Sequence, residues 1–234
     1  MFPDRVYGRD MPIATERAPQ RLPRGRHGLP RRFIVHNQRE RMLLAVAESV
    51  SEQGYATTTV ADIISRARLS RRTFYEHFAD KEECFLAAYD TVVEQLLAAV
   101  GAAYEEADTW PQKVHDGLRT FLSSLAVEPA FARMCIVEVL AAGPEARGRR
   151  DAAMRVFVDF LEPGRAEAPK GIEVPEFASE LVVGGLYEAI YARLVRDAGE
   201  ELVPMLPELL YYALMPYVGH AAARKAVAQT TSRD

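Results

Sequence analysis

Signals that start and stop helices follow one another closely near the front of this chain, and they limit what the region can form. A glycine stop comes first, because glycine readily adopts the left-handed conformation that often ends a helix. Two pairs of polar residues, each three positions apart, have the spacing of capping boxes, and a serine between them can cap a further helix. The residues concerned are Gly54, Thr59 with Asp62, Ser70, and Asp80 with Glu83. This order predicts short helices separated by tight turns.

Apolar residues between these signals recur at intervals of three and four, the period of one helix face. The predicted helices run from about Val35 to Gly54, from Val60 to Ala67, over 71–77, and from Asp80 to about Ala107. The last helix has roughly 26 residues and a length of about 39 Å. Its apolar face contains Phe85, Tyr89, Val92 and Leu96.

The remaining chain also shows helical periods, and it lacks the period-two alternation that marks strands. Further helices are expected near 111–126, 129–142, 145–161, 175–197 and 203–217, and the composition of 163–174 is typical of a loop. The sequence therefore predicts an all-α fold of about nine helices. Its expected parts are a helix-turn-helix domain over 36–81, a helical domain over 82–219 and a flexible tail over 220–234.

The stretch "LSRRTFYEHF", residues 69–78, indicates how the short helices are used. Two short helices joined by a tight turn and packed on a longer one form a helix-turn-helix, whose second helix enters the DNA major groove. Leu69, Phe74 and Phe78 are expected to face inward and to hold the second helix in place. The polar residues left outside are Ser70, Arg71, Arg72, Thr73, Tyr75 and His77.

These outer residues have the chemistry of a protein that reads a DNA duplex. Arginine donates two hydrogen bonds to guanine O6 and N7, and the threonine methyl group contacts that of thymine. Tyr75 and His77 can donate to phosphates, and Lys81 adds a cation beside the free N–H groups at the start of the fourth helix. An ordinary solvated helix face is the other interpretation of the cluster.

Charge is divided unevenly along the chain. Residues 1–81 contain 15 Lys/Arg and 9 Asp/Glu, whereas residues 82–234 contain 14 and 24, so the two net charges are +6 and −10. A basic front suits contact with a polyanion, although such asymmetry also arises by chance. Residues 1–35, with five prolines, eight arginines and three acids, are expected to form a disordered basic arm. That arm is either a nonspecific DNA contact or a dispensable tail.

Residues 38–90 resemble the N-terminal DNA-binding domain of the TetR family of transcriptional regulators, of the AcrR-like kind. The residues that carry the resemblance are "GYATTTVADIISRARLSRRTFYEHFADKEECFLAAYD", residues 54–90. The resemblance implies that Arg71, Arg72 and Thr73 approach bases. It implies that phosphates are contacted by Thr58 or Thr59, Tyr75, His77 and Lys81.

Two positions depart from the usual pattern of the family. Glycine is common in the turn where this chain has Arg68, and again where it has Arg72. Either Arg68 adopts a left-handed conformation, at a cost of about 1 kcal/mol, or the turn differs slightly. Arg72 adds a cation, so base preference does not transfer from relatives.

The acidic rear half has a weaker resemblance to TetR-family C-terminal segments of actinobacterial type, through "VEVLAAGPEARGRRDAAM" and "LMPYVG". The resemblance implies an effector site between helices of this half. Candidate pocket residues are Tyr89, Tyr104, Trp110, Phe121, Met134, Phe157 and Tyr187, with Glu138 or Arg133 as a polar contact. Plain core is the alternative role for each of them.

The resemblance also implies a homodimer formed by the last two helices. Two adjacent glycines, Gly184 and Gly185, would weaken a helix unless another backbone approaches closely there. An intramolecular core is the alternative role for the apolar residues of these helices. The candidate interface residues are Phe177, Leu181, Gly185, Leu206, Leu210 and Leu214.

Other classes of protein have little support in the residues. The five histidines are dispersed, and the sequence contains no nucleophile motif, phosphate-binding loop or metal-ligand spacing, so no catalysis, metal or cofactor is predicted. No apolar run reaches about 18 residues, so no membrane span is expected. Cys84 and Cys135 lack ligand spacing, which predicts buried thiols in a reducing cytoplasm.

The hypothesis from sequence is a homodimeric repressor. It would bind a palindromic operator on double-stranded DNA and be released by a small apolar effector. The alternative is a helical small-molecule-binding or scaffold protein that does not use DNA. Salt dependence separates the two, because a protein that binds phosphates loses DNA affinity steeply as salt rises.

Overall fold

The computed structural model describes residues 31–231, and every regular element within that range is a helix. The α-helices are α1 (Arg31–Gln53), α2 (Val60–Ala67), α3 (Arg71–Tyr75), α4 (Lys81–Glu106), α5 (Trp110–Val127), α6 (Pro129–Ile136), α7 (Pro144–Leu161), α8 (Ala178–Val195), α9 (Leu206–Val218) and α10 (His220–Thr231). Short 3-10 helices occupy Glu138–Leu140, Glu162–Glu167, Gly199–Glu201 and Val203–Met205. The all-α prediction is confirmed, and most of the expected basic arm lies outside the described residues.

Local hydrogen bonds start the front helices where the sequence predicts. The Thr59 side chain accepts the Asp62 N–H, and the Asp62 carboxylate accepts the Thr59 N–H at 2.8 Å, so α2 begins with a complete capping box. Ser70 caps α3, and Asp80 caps α4 by accepting the Glu83 N–H at 2.9 Å. Each cap satisfies a backbone donor that the helix itself leaves free.

The turn between α2 and α3 contains Arg68 in the left-handed conformation, with φ 52° and ψ 47°. Of the two alternatives, the strained one is therefore found. The guanidinium of Arg41, on α1, donates to the carbonyl oxygens of Ala67 and Arg68. This contact fastens the end of α2 to α1, and so it holds the turn that aims α3.

A common core joins α1, α2, α3 and the first turns of α4. Phe74 is fully buried and Phe78 nearly so, while Leu69 is partly buried, as predicted. The other fully buried side chains of this core include Met42, Val46, Ile63 and Phe85. Burial of such side chains stabilises the fold by about 1.5–3 kcal/mol each.

The long helix α4 belongs to both halves of the protein, since it packs on α1 at the front and on α5 at the rear. By length and composition it is also apolar enough to cross a membrane, and the bent pair formed by Trp110–Val127 and Pro129–Leu140 passes the same test together. Phe85, Tyr89 and Leu96 of α4 are buried against other helices, which is how a core helix is used.

Several predicted boundaries are wrong. The first helix begins at Arg31, within the segment expected to belong to the arm, and the helix expected over 129–142 ends at Ile136 before a 3-10 turn. Residues 220–231 form α10 rather than a flexible tail. Before it, α9 continues through Pro216 to Val218, and the chain turns at Gly219 with φ 80°. The helix then resumes as α10, which packs on α9 and α5 and has Ala223 and Thr230 buried.

Candidate functional site

Helix α3 presents a polar surface opposite its buried phenylalanines. Arg71, Arg72 and Tyr75 are exposed on it, and Tyr75 retains half of its accessible surface although its ring packs edge-on against Phe74. Arg71 forms no ion pair with any residue in 31–231. The Arg72 Nε donates to Glu76 Oε1 at 3.0 Å. Two guanidinium groups therefore project from one turn of helix, one free and one lightly paired.

The capping residues contribute to this surface in a different way. Thr59 and Ser70 are exposed, but their hydroxyls already serve the starts of α2 and α3, and Ser70 Oγ lies 2.8 Å from Thr73 Oγ1. The resemblance implies a phosphate contact by Thr58 or Thr59, and of these two residues Thr59 is the exposed one. Thr58 is buried, and its hydroxyl donates to the Gly54 carbonyl at 2.8 Å, where it closes the end of α1.

Lys81 is tied to the loop that follows α1. Its Nζ donates to the Tyr55 carbonyl at 2.7 Å and lies 4.1 Å from the centre of the Tyr55 ring. Burial lowers the pKa of this lysine. Only part of its donor capacity is used, because an ammonium group has three N–H donors. Lys81 therefore positions the front of α4 and still has hydrogens for an anion.

His77 lies half-buried at the end of the recognition segment. Its Nε2 lies 3.4 Å from Gln38 Oε1, and its ring packs beside Phe78. Burial, and then the charge of Arg39, lower the pKa of His77, which favours the neutral imidazole. Arg39 itself lies over the Phe78 ring at 5.6 Å. Gln38, Arg39 and Arg41 could not be predicted from the sequence, because no local pattern marks a contact between distant helices.

An apolar cavity of about 120 Å³ lies in the rear half, between α4, α5, α6, α7, α8 and α9. Five predicted pocket residues line it: Tyr89, Tyr104, Phe121, Phe157 and Tyr187. The Tyr104 hydroxyl donates to the Phe160 carbonyl at 2.9 Å, and the Tyr187 hydroxyl donates to that of Ile136. These two phenols therefore serve the protein backbone, and burial raises the pKa of both.

Three predicted pocket residues lie elsewhere. Trp110 stacks so closely on Gly164 that a Cβ there would have no room. Met134 is buried in the front core. Glu138 accepts the Tyr55 N–H at 2.8 Å, in the contact between the two halves. Arg133, offered as its alternative, donates to the Leu194 carbonyl at the end of α8.

The charged residue of the cavity wall is one that sequence reasoning missed, Arg150 on α7. Its guanidinium lies over the Tyr187 ring at 4.2 Å, and its Nη1 pairs with Asp151 at 2.9 Å. The spacing of residues in the sequence could have identified it. Arg150 begins a stripe along α7 that continues, every three or four residues, with cavity-lining apolar residues. Those residues are Ala153, Met154, Phe157, Phe160 and Leu161.

The predicted dimer residues divide into two groups. Phe177 and Leu181 of the α8 region are exposed, at 63% and 73%, and Cβ atoms added at Gly184 and Gly185 would meet open space. Leu206, Leu210 and Leu214 contradict the prediction, because they are buried within this chain against α5, α8 and their neighbours. An apolar stripe does not reveal whether the helix that covers it belongs to the same chain.

A capped helix-turn-helix with exposed arginines, joined by a long helix to a helical half with an apolar cavity, defines a DNA-binding regulator with a ligand site. A family model described as "Bacterial regulatory proteins, tetR family" matches residues 43–88. The HTH-type transcriptional regulator EthR of Mycobacterium tuberculosis is 32% identical over 169 residues, which cover 68% of this chain and 76% of that relative. The chain belongs to the TetR family of transcriptional regulators.

More distant relatives share the fold of both halves. The fatty acid metabolism regulator protein of Bacillus subtilis is 20% identical over 71% of this chain and 88% of its own length. The structure of FadR from Bacillus halodurans superposes with a TM-score of 0.68 over 76% of this chain and 94% of that one, at 16% identity. That of Bacillus subtilis FadR in complex with stearoyl-CoA has a TM-score of 0.66 over 75% and 97%, at 20% identity.

Proposed function

We propose that this protein is a cytoplasmic homodimeric repressor whose two α3 helices read an inverted repeat in double-stranded DNA. The observation that carries the proposal is the pair Arg71 and Arg72 on the exposed side of α3, whose other side is anchored by Phe74. Rigid anchoring is what base reading needs, because hydrogen bonds to base edges require a fixed orientation. Tyr75, His77 and Lys81 follow these arginines in the sequence and have side chains that suit phosphate contacts.

The proposed dimer uses the exposed face of α8. Phe177, Leu181 and the two glycines present an apolar surface with no side chain above the glycines, so that another backbone can approach there. Leu181→Glu would place a charge in this interface and raise the dimer dissociation constant by roughly tenfold or more. Val127→Glu, at an exposed apolar position on α5, is the matched control, and sedimentation velocity over a concentration series measures both.

The proposed effector is a small apolar molecule that enters the cavity of the rear half. Its occupancy would favour a dimer in which the two recognition helices have the wrong spacing, since a ligand shifts a population only through a difference in affinity. The complex of a distant relative with stearoyl-CoA supports an apolar chain as the occupant. The walls of the cavity, almost wholly hydrocarbon, agree with this class of ligand.

Fluorescence anisotropy tests the DNA half of the proposal. The full-length protein is titrated onto labelled DNA that flanks its own gene, at two salt concentrations, with scrambled DNA as the control. Tight binding to the flanking DNA alone supports a specific regulator. Equal binding to both DNAs, or binding to neither, contradicts the operator proposal, and the second result favours a DNA-independent ligand-binding or scaffold protein.

A further inference from the structure

We infer that the cavity takes an alkyl chain with an anionic oxygen at one end, and that Arg150 is the residue that selects this head group. The inference deepens the proposed function, because it names the chemistry of the effector and the residue that recognises it. It depends on three features of the cavity wall: one charge, one donor without a partner, and a long apolar floor.

The charge in the cavity wall comes from one residue. Among the described residues that line the cavity, Arg150 is the one with a charged side chain, and the remainder are apolar apart from three tyrosines and the thiol of Cys135. Burial raises the pKa of that thiol to about 12, so it stays neutral. The Arg150 side chain is only 25% exposed, so its guanidinium group attracts an anion more strongly than it would in open water, because less solvent screens it.

The donor is also available. The Arg150 Nε–H is buried and has no hydrogen-bond partner among residues 31–231. A buried donor left in this state is unfavourable, and an incoming acceptor would satisfy it. Asp151 engages the guanidinium only through Nη1, and it lies on the exposed side of α7. Of the cavity tyrosines, Tyr104 and Tyr187 already donate to backbone carbonyls.

The remaining wall sets the orientation and the size of the ligand. The α7 stripe runs from Arg150 to Leu161, about 16 Å of helix, and all of its other cavity-facing members are apolar. The cavity volume would hold roughly ten groups of the size of a water molecule. A chain of about ten carbons therefore fits along α7, with its oxygens at Arg150 and its methyl end beside Phe160 and Leu161.

Isothermal titration calorimetry on the full-length protein compares three probes that share a straight chain of ten carbons: decanoate, the neutral decanamide, and the decyltrimethylammonium cation. Decanoate is expected to bind roughly tenfold or more tightly than decanamide, the ratio that a charge-assisted hydrogen bond gives. The cation is expected to bind more weakly than either. Arg150→Met should remove the preference for decanoate, so that decanoate binds no more tightly than decanamide, and a thermal unfolding midpoint close to that of the wild type shows that the variant is folded.

Arg155→Met is the matched control, because Arg155 lies on the exposed side of the same helix and outside the cavity. It should retain the wild-type ratio of decanoate to decanamide affinity. Equal affinities in the wild type, or a preference that survives Arg150→Met, would overturn the role of Arg150 while leaving an apolar effector in place. If none of the three probes binds, the inference and the effector part of the proposed function fail together, whereas operator binding is measured separately.

Discussion

At the scale of single residues, the recognition surface contains two kinds of polar side chain. Some hydrogen-bond within the protein and fix the helices, and others are free to contact DNA. The hydroxyls of Thr58, Thr59 and Ser70 cap helix ends, and the Lys81 ammonium group donates one hydrogen bond to the Tyr55 carbonyl. Arg71 has no such commitment within 31–231. The sequence identified the polar set but not this division, because it depends on where each hydroxyl points once the helices are packed.

Arg71→Ala tests the proposed contact of Arg71 with a base. The substitution should cost about 1–3 kcal/mol of operator binding and relax the preference at one base position, because a bidentate contact to guanine is lost. Binding to a panel of singly substituted operators measures both effects. Arg66→Ala is the control, since the Arg66 guanidinium is held by Glu48 and Glu52 on α1. Unchanged affinity and unchanged base preference in Arg71→Ala would exclude a base contact by this residue.

His77 gives the folded protein a dependence on pH. Its pKa in the folded state is lowered by burial and by Arg39, whereas an unfolded histidine titrates near pH 6.5. Below about pH 6.5 the unfolded chain therefore binds more protons at this site, and stability falls as the pH falls toward the lowered folded value. His77→Gln should make the loss of stability between about pH 7 and pH 5.5 shallower. Urea unfolding at a series of pH values measures it, and an identical slope in both proteins would contradict the assignment.

At the scale of helices, local caps determine where some helices begin, and long-range packing determines the rest. The starts of α2, α3 and α4 could be predicted, because a cap is a contact between residues three positions apart. Helix α10 could not, since its helical state depends on burial against α9 and α5. For the same reason, the predicted interface role of the α9 leucines and the predicted pocket role of Met134 and Trp110 were wrong. Their apolar character was evident, but the partner helix that covers each one was not.

The turn between α2 and α3 offers a test at this scale. Arg68 adopts φ 52°, a conformation that costs a residue with a Cβ about 1–2 kcal/mol and costs glycine almost nothing. Arg68→Gly should therefore raise the free energy of unfolding by about 1 kcal/mol. Arg68→Ala removes the same guanidinium but keeps the Cβ, so it should give no such gain. Equal stabilities for the glycine and alanine variants would show that the turn is not strained.

At the scale of the whole molecule, a short chain of polar contacts connects the cavity to the DNA-binding half. Tyr187 lines the cavity and donates to the Ile136 carbonyl on α6. Just beyond α6, Glu138 accepts the Tyr55 N–H, and the Tyr55 carbonyl accepts from Lys81 at the start of α4. A ligand that moves α6 would therefore act on the loop between α1 and α2 as well as on α4.

Glu138→Ala tests that connection. The wild-type operator affinity should fall when the cavity ligand is present, and the variant should respond less, by about 0.5–2 kcal/mol of coupling free energy. Glu138→Gln keeps an oxygen acceptor for the Tyr55 N–H and should respond like the wild type. Operator titrations with and without decanoate, for all three proteins, give the coupling. A full wild-type response in Glu138→Ala would place the connection elsewhere, in α4.

The contact of Trp110 with Gly164 gives the protein a built-in optical reporter. The chain has a single tryptophan, and its indole lies between Gly164, in the segment that follows α7, and the edge of Tyr217 on α9. It shares an apolar cluster with Tyr104 and Leu161, which line the cavity. All indole emission from this protein therefore originates beside the cavity, and we expect its wavelength to follow binding of the proposed effector without any dye attached.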